Sequence, residues 1–383
     1  MLFSEKVSEV TGEKVSGWED SFTAVTKHYK VIILDDLTSI SSYNRFHTAF
    51  YEKMFPKRLS RPFVVLIAQP TDNVAGLADR YERLELTYLN ISEVMDMFPN
   101  YTKYDALSVS AISGGIPEIL QEIKPDYSLE YNLQKILNPT SAFINFMPRL
   151  LSQYFRKPDN YHYILSAIAH GSHSISEIGK FTGFAYNKCD NYLAGLIDCG
   201  IVIPDDVVSK RGAKKTAYNL TNNYFRLWYR YIYWSQSDIQ LEVTPVINKI
   251  VKSIIDMEVQ VFYLQKVFEY VNKRINSYDM QIGFNILSDL VYEPYIVNNG
   301  NNEFTFDSIG RNKEMAVMVK ILNEPEDSCR KETFETIRKA AALVNEYYNS
   351  HVYIFAKKRF SDYAVKEASK DEAITLVGIE QLR

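Results

Sequence analysis

Cysteine is scarce: Cys189, Cys199 and Cys329 are the only three in 383 residues, and none forms a C-x-x-C pair. That excludes a disulfide framework and leads us to expect a reducing, cytoplasmic setting. Long hydrophobic runs are missing too. No stretch of 18 apolar residues occurs, and the most apolar segment, Phe225 to Trp234, is broken by Arg226 and Arg230. No membrane span or membrane partner is expected. Met1 to Lys6 carries charge without the apolar core of a signal peptide. Neither sign of charge dominates, since 43 basic against 47 acidic residues leave a net of −4. The six histidines show no metal-ligand spacing, and no serine or cysteine nucleophile signature occurs.

What is present is the composition of a globular protein, 46% hydrophobic and 23% charged, at a length that allows two or three domains. Three regions differ in pattern. In residues 1–127, short β-branched apolar runs alternate with helical stretches, which predicts a parallel α/β sheet. Val31–Leu34 and Phe63–Ala68 read as strands buried on both faces, and Leu84–Tyr88, with strict alternation, as a third strand nearer an edge. Residues 128–240 read as mostly helical, ending in a β-hairpin. Ser174-Ile-Ser-Glu177 is a capping box, Gly183 breaks the chain, Tyr186–Asp198 is a second helix, and Ile201–Ile203 and Thr216–Leu220 flank a turn. That order is a winged helix-turn-helix. Residues 241–383 form a second α/β unit. It opens with a long amphipathic helix, Val246 to Asn276. Strands follow near 281–286, 303–307 and 315–321, then a helix from Lys331 to Asn349 and strands at Val352–Phe355 and Ala373–Val377.

The sharpest chemical signal is Lys30-Val-Ile-Ile-Leu-Asp-Asp36. Four apolar residues followed by two acids place Asp35 and Asp36 at the carboxyl edge of a strand, where nucleotide folds hold Mg²⁺ and a hydrolytic water. The run at Phe63–Ala68 ends in polar residues at the same edge, so Gln69 and Thr71 are candidates for sensing a phosphate. In Ser113-Gly-Gly-Ile-Pro-Glu118, Gly114 and Gly115 before Pro117 require positive φ or close backbone approach. They join the candidate nucleotide-facing residues.

Taken together, strand-Asp-Asp, "ISEVMDMFP", "SGGIPEIL", "YHYILSAIAHGSHSISEIGKFTG", "NYLAGLIDCGIV" and "AYNLTNNYFRLWYRYIY" resemble the predominantly archaeal and bacterial AAA+/STAND-type ATPases with a winged helix and a C-terminal restriction-endonuclease-like domain. The resemblance runs from about Trp18 onward. It implies a P-loop-type α/β domain over 1–127, a helical linker and winged helix over 128–240, and a nuclease-like α/β domain over 241–383. It also implies that Asp35 orients Mg²⁺ and Asp36 activates water. The departures are specific. No G-x-x-x-x-G-K-[ST] occurs, and that loop supplies the amides, lysine and hydroxyl that surround the phosphates. Asp36 stands where a longer glutamate is usual. The chain therefore reads as a truncated P-loop domain that lacks the central strand beside Phe63–Ala68. No cofactor is expected for the isolated chain, and ATP with Mg²⁺ only if a P-loop is supplied.

Duplex DNA is the first candidate partner. Residues 149–238 carry 11 basic and 7 acidic residues, a local surplus of four. Lys210, Arg211, Lys214 and Lys215 occupy one turn suited to phosphate contacts, while Asn187, Lys188 and Asn191 share the polar face of the recognition helix and could reach base edges. The aromatic run from Tyr224 to Trp234 reads as a core stripe with Arg226 and Arg230 outside. In the nuclease-like region the family's Glu-x-Lys aligns with Met318-Val-Lys320: Lys320 remains and the acid is lost. The other acid would fall near Thr305, which Glu303 or Asp307 replaces only after a shift. A degenerate, catalytically inactive domain is expected. The functional expectation is a non-hydrolysing binding or regulatory module of ATPase ancestry. Its competitors are an ATPase whose P-loop comes from another segment or chain, and a winged-helix DNA-binding regulator. A protein partner or a homo-oligomer fits the unpaired strand.

Overall fold

The computed structural model describes residues 2–35, 63–67, 82, 84–208, 214–276, 295–299, 302–311, 315–323, 328–345 and 349–382. The chain opens with α1 (Leu2–Thr11), α2 (Gly17–His28), β1 (Val31–Leu34) and β2 (Phe63–Leu66). Helices follow: α3 (Ile91–Met97), α4 (Lys103–Ser113), α5 (Pro117–Leu120), α6 (Leu129–Ile136), α7 (Ala142–Tyr154), α8 (Asp159–Ala169), α9 (Ile175–Thr182) and α10 (Tyr186–Asp198). Then come β3 (Val202–Val208), β4 (Lys214–Leu220), α11 (Asn223–Leu227), a π-helical turn (Trp228–Ile232), α12 (Gln236–Gln240) and α13 (Thr244–Ser253). A second π-helical turn (Ile254–Glu258) leads into α14 (Val259–Asn276). The last elements are β5 (Tyr295–Asn299), β6 (Asn302–Phe306), β7 (Ser308–Arg311), β8 (Met315–Leu322), α15 (Lys331–Asn345), β9 (Asn349–Ala356), α16 (Asp362–Ala368) and β10 (Ile374–Val377). The class is mixed α and β, as the patterning predicts.

Two compact units divide the chain. One comprises Met1–Leu86 with Asn187–Asp206, the other Thr87–Tyr186 with Val207–Arg383. In the first, α1 and α2 meet through aromatic rings: Phe3 lies 4.9 Å from Trp18 and 5.4 Å from the fully buried Phe22. Strands β1 and β2 pair in parallel, in register from Val31 with Phe63 to Leu34 with Leu66. Their apolar runs predict burial on both faces, yet only the Ile32 side of β1 is covered; Val31 and Ile33 are exposed. Among the described residues, the segment expected as a strand at Leu84–Tyr88 pairs with no other strand, and Leu84 and Leu86 are 83% and 86% exposed. Alternation marks a segment that can form a strand, but a strand also needs a neighbour to complete its ladder.

The second unit is built on a helical core. Thr102 caps α4 by accepting from the Asp105 amide, and Gly114 ends the helix in the left-handed region. The aromatic segment from α11 packs against α4 and α7, as the stripe predicts: Tyr224, Trp228 and Tyr229 are fully buried. Their polar atoms are anchored, with the Tyr224 hydroxyl donating to Phe143 O at 2.7 Å and the Trp228 indole N–H to Ile144 O at 3.0 Å. Each such ring contributes about 1.5–3 kcal/mol of burial, so this one stretch is a major part of the helical core. The helix expected over Val246–Asn276 runs from Thr244 to Asn276 with a π turn, Ile254–Glu258, inside it, and the helix expected to reach Asn349 is described as far as Asn345, with β9 from Asn349.

The C-terminal sheet has the order β10-β9-β8-β7, with β7 antiparallel to β8 and the other neighbours parallel. Helix α15 crosses from β8 to β9 and α16 from β9 to β10. Strands β5 and β6 form a separate antiparallel pair. The strand expected near 281–286 lies outside the described residues. His351 in β9 is buried, its Nε2 2.8 Å from Thr375 Oγ1, and burial pulls its pKa down to about 4. Unfolding restores an ordinary imidazole near 6.5, so the unfolded chain takes up a proton that the folded chain refuses between those values. Stability should therefore fall as pH drops from 6.5 toward 4, by up to about 3 kcal/mol. Urea unfolding at pH 7.5 and 4.5 checks this. His351→Gln should flatten the pH dependence, and an unchanged slope would count against it.

Candidate functional site

At the carboxyl edge of the parallel pair, the register places Asp35 one residue beyond Leu34 and Ile67 one residue beyond Leu66. Asp35 is exposed there. Asp36, Gln69 and Thr71 lie outside the described residues, as do Lys210 and Arg211. Among the described residues, no group of three or more histidine, cysteine, aspartate or glutamate side chains could hold a metal ion.

The paired glycines belong to the helical core of the second unit. Gly114 and Gly115 have φ of 60° and 72°. A Cβ on Gly115 would fall 2.0 Å from Leu89 O, and the Leu89 amide donates to Gly115 O at 2.9 Å. A Cβ on Gly114 would meet Asn222 Oδ1, and Asn222 Nδ2 donates to Gly114 O at 2.8 Å. Pro117 opens α5 at its first turn, where its missing N–H costs nothing. Both requirements read from this motif, positive φ and close approach, are met by protein contacts.

Helix α9 opens with the capping box: Ser174 Oγ accepts from the Glu177 amide at 3.3 Å, and Glu177 Oε2 accepts from the Ser174 amide at 2.9 Å. The carboxyl of Glu177 is held below the usual range, chiefly by the backbone amide of Ser174. Gly183 ends the helix at φ 73°. Helix α10 spans the residues expected of it. Cys189, Leu193 and Leu196 are buried, while Asn187, Lys188 and Asn191 are exposed on the opposite side. The Lys188 ammonium lies 5.8 Å from the Tyr192 ring centroid. Lys214 and Lys215 begin β4. Farther along, the Tyr218 amide donates to His173 O at 2.8 Å, tying β4 to the residue before the α9 cap.

In the C-terminal sheet Lys320 Nζ donates to Thr305 O at 2.9 Å and lies 3.2 Å from Asp307 Oδ2. That carboxylate also accepts from the Ile321 amide at 2.7 Å. Asp307 thus reaches Lys320 without any shift along β6, because it lies at the turn into β7. Met318, in the family's glutamate position, is fully buried in the core. Nearby Tyr263 is fully buried, and its hydroxyl has no hydrogen-bond partner.

One charged cluster was not legible in the sequence. Glu258, fully buried, receives Arg226 Nε at 3.0 Å and Arg230 NH1 at 2.8 Å, and the Tyr231 hydroxyl lies 3.2 Å away. Arg226 and Arg230 therefore do not face outward, as the stripe reading expects; their side chains are 19% and 32% exposed. Burial, reinforced by Glu258, pushes the Tyr231 hydroxyl up to about 12. The only cue was an acid at position 258 among apolar residues.

No protein-family model matches the chain. It is similar to an uncharacterized protein, MJECL04, of Methanocaldococcus jannaschii, with 23% identity over 256 residues, covering 62% of this chain. The match spans 56% of that protein, so the chain corresponds to little more than half its length. Among solved structures, protein VC1899 from Vibrio cholerae aligns over 88% of this chain and 69% of its own, at 9% identity and a TM-score of 0.23. Can2 from Sulfobacillus thermosulfidooxidans, solved in complex with cyclic tetra-adenylate, aligns over 94% and 96%, at 12% identity and a TM-score of 0.22. Among the described residues, no helix is long and apolar enough to cross a membrane.

Proposed function

We propose that this chain is a DNA-contacting regulatory module related to AAA+/STAND-type ATPases, and that it does not hydrolyse ATP on its own. The supporting observation is the outward face of α10. Asn187, Lys188 and Asn191 are exposed on a helix whose other side is anchored by Cys189, Leu193 and Leu196. Asparagine and lysine are side chains that read base edges and phosphates. The C-terminal sheet acts in this reading as a scaffold, with Lys320 held by Asp307 rather than by a metal-binding pair of acids.

The competing reading, an ATPase completed by a P-loop from another segment or chain, is favoured by one observation. The parallel register of β1 and β2 brings the ends of both strands to the same edge as Asp35. A single titration separates the two readings. The full chain should bind blunt duplex DNA with an affinity that falls steeply as salt rises, and Lys188→Ala with Asn191→Ala should weaken it about tenfold or more. Adding Mg²⁺ and ATP should change nothing. Micromolar ATP binding would favour the ATPase, and salt-independent or absent duplex binding would remove the DNA reading.

A further inference from the structure

The Glu258 cluster carries more positive charge than its one carboxylate takes up. Arg226 and Arg230 stand four residues apart on one helical run and share that fully buried acid, which leaves a surplus of one positive charge. Like charges at this spacing repel, and a buried charged triad costs desolvation that an apolar trio would not. Packing alone therefore gives no reason for the second arginine. Both guanidinium groups are also fixed in place. Arg226 donates through Nε to Glu258 Oε2 and through NH2 to Asn223 Oδ1, while Asn223 Nδ2 is itself tied to Ala111 O of α4. Arg230 donates through NH1 to Glu258 Oε1, and its guanidinium lies 6.0 Å from the Tyr231 ring centroid. Two π turns build the arrangement: Trp228–Ile232 carries Arg230 and Tyr231, and Ile254–Glu258 ends in the acid. Turns of this kind recur at functional sites.

What remains is a set of donors open to solvent. A guanidinium has five N–H groups; Arg226 spends two of them on protein acceptors and Arg230 one. Among the described residues, the buried side-chain polar atoms without a partner are the Tyr263 hydroxyl and Ser350 Oγ, so the unpartnered nitrogens of both arginines reach the surface. One carboxylate already bridges the two guanidinium groups from the protein side, one oxygen to each. A phosphoryl group offers more oxygens than a carboxylate, so it can accept from both forks on the solvent side while cancelling the surplus charge. We propose that Arg226 and Arg230 form a binding site for a phosphoryl group, free or as the ester of a small molecule, with Glu258 and Asn223 holding the two guanidinium groups ready. All of these residues belong to the second unit, so the site stands independently of the DNA-contacting reading.

The test is isothermal titration calorimetry of the full chain at constant ionic strength, with inorganic phosphate, phenyl phosphate and acetate as probes. At least one of the two phosphoryl probes should bind saturably, one per chain, with a dissociation constant of about 1 mM or tighter. Acetate should bind about tenfold more weakly or not at all. Tighter binding of phenyl phosphate assigns the site to an ester, and tighter binding of inorganic phosphate assigns it to the free ion. Arg230→Gln leaves Glu258 paired with Arg226, so the fold should persist by circular dichroism while phosphoryl affinity falls about tenfold or more. Arg230→Lys keeps the charge and loses the planar fork, so its affinity should lie between the two, and it covers the case in which the glutamine variant fails to fold. Lys180→Ala removes an exposed cation from α9 and should change nothing. Absence of saturable binding of either phosphoryl probe would overturn the proposal. So would an affinity that survives Arg230→Gln, a loss that Lys180→Ala reproduces, or acetate binding as tight as that of the phosphoryl probes.

Discussion

Glu258→Ala is expected to destabilise the second unit by about 3 kcal/mol, near the low end of what breaking a buried ion cluster costs. The carboxylate is fully buried and compensates two guanidinium groups. Its removal leaves two cations facing each other with no counter-charge, one of them still bonded to Asn223 Oδ1. The partial exposure of both arginines lets water screen some of that repulsion, which keeps the figure at the lower end. Glu258→Gln retains the shape and some hydrogen bonding, so it should fall between alanine and the wild type. Urea unfolding followed by circular dichroism measures all three. A wild-type midpoint for the alanine variant would show that both arginines simply turn out to solvent.

Gly115→Ala should be comparably damaging, by about 2–5 kcal/mol: part comes from forcing an L-residue to positive φ and part from crowding. The obstruction is the carbonyl of Leu89, which is backbone and cannot swing away as a side-chain end could. Gly171→Ala is the matched control. Its φ is 94°, but nothing lies within 4 Å of the added methyl, so only the conformational part, about 1–2 kcal/mol, should remain. If both variants melt alike in the same urea series, the contact with Leu89 contributes nothing. A larger loss at Gly115 than at Gly171 would identify Ser113-Gly-Gly-Ile-Pro-Glu118 as a packing element, in keeping with the contact of Gly114 with Asn222.

What the sequence made readable was local. Ser174 and Glu177 are three residues apart, so their reciprocal caps can be read directly, and Tyr186–Asp198 is bounded by signals inside its own span. Of the C-terminal strands, β6, β8, β9 and β10 are visible as short apolar runs, whereas β5 and β7 are not. The failures share a physical cause, dependence on partners remote in sequence. Leu84–Tyr88 alternates like a strand, yet pairing depends on a neighbour that the pattern cannot name. Arg226 and Arg230 look like the wet side of a stripe because Glu258, which draws them in, comes 32 and 28 residues later. Asp307 looked displaced from the position that meets Lys320 because spacing along a strand cannot show that the chain turns there and brings the two together. For the candidate site, residue types on α10 are legible because helix periodicity alone separates Asn187, Lys188 and Asn191 from Cys189, Leu193 and Leu196.

Glu258 closes one wide turn, Ile254–Glu258, while Arg230 lies within another, Trp228–Ile232, and Arg226 just before it. A wide turn takes one more residue than an α-turn, and each residue of a helix advances about 100° around the axis. The stripe that α13 presents is therefore out of phase with the one α14 presents, although helical backbone continues from one to the other. The same chain can thereby face one neighbour before position 254 and a different one after 258, with no proline or loop between them.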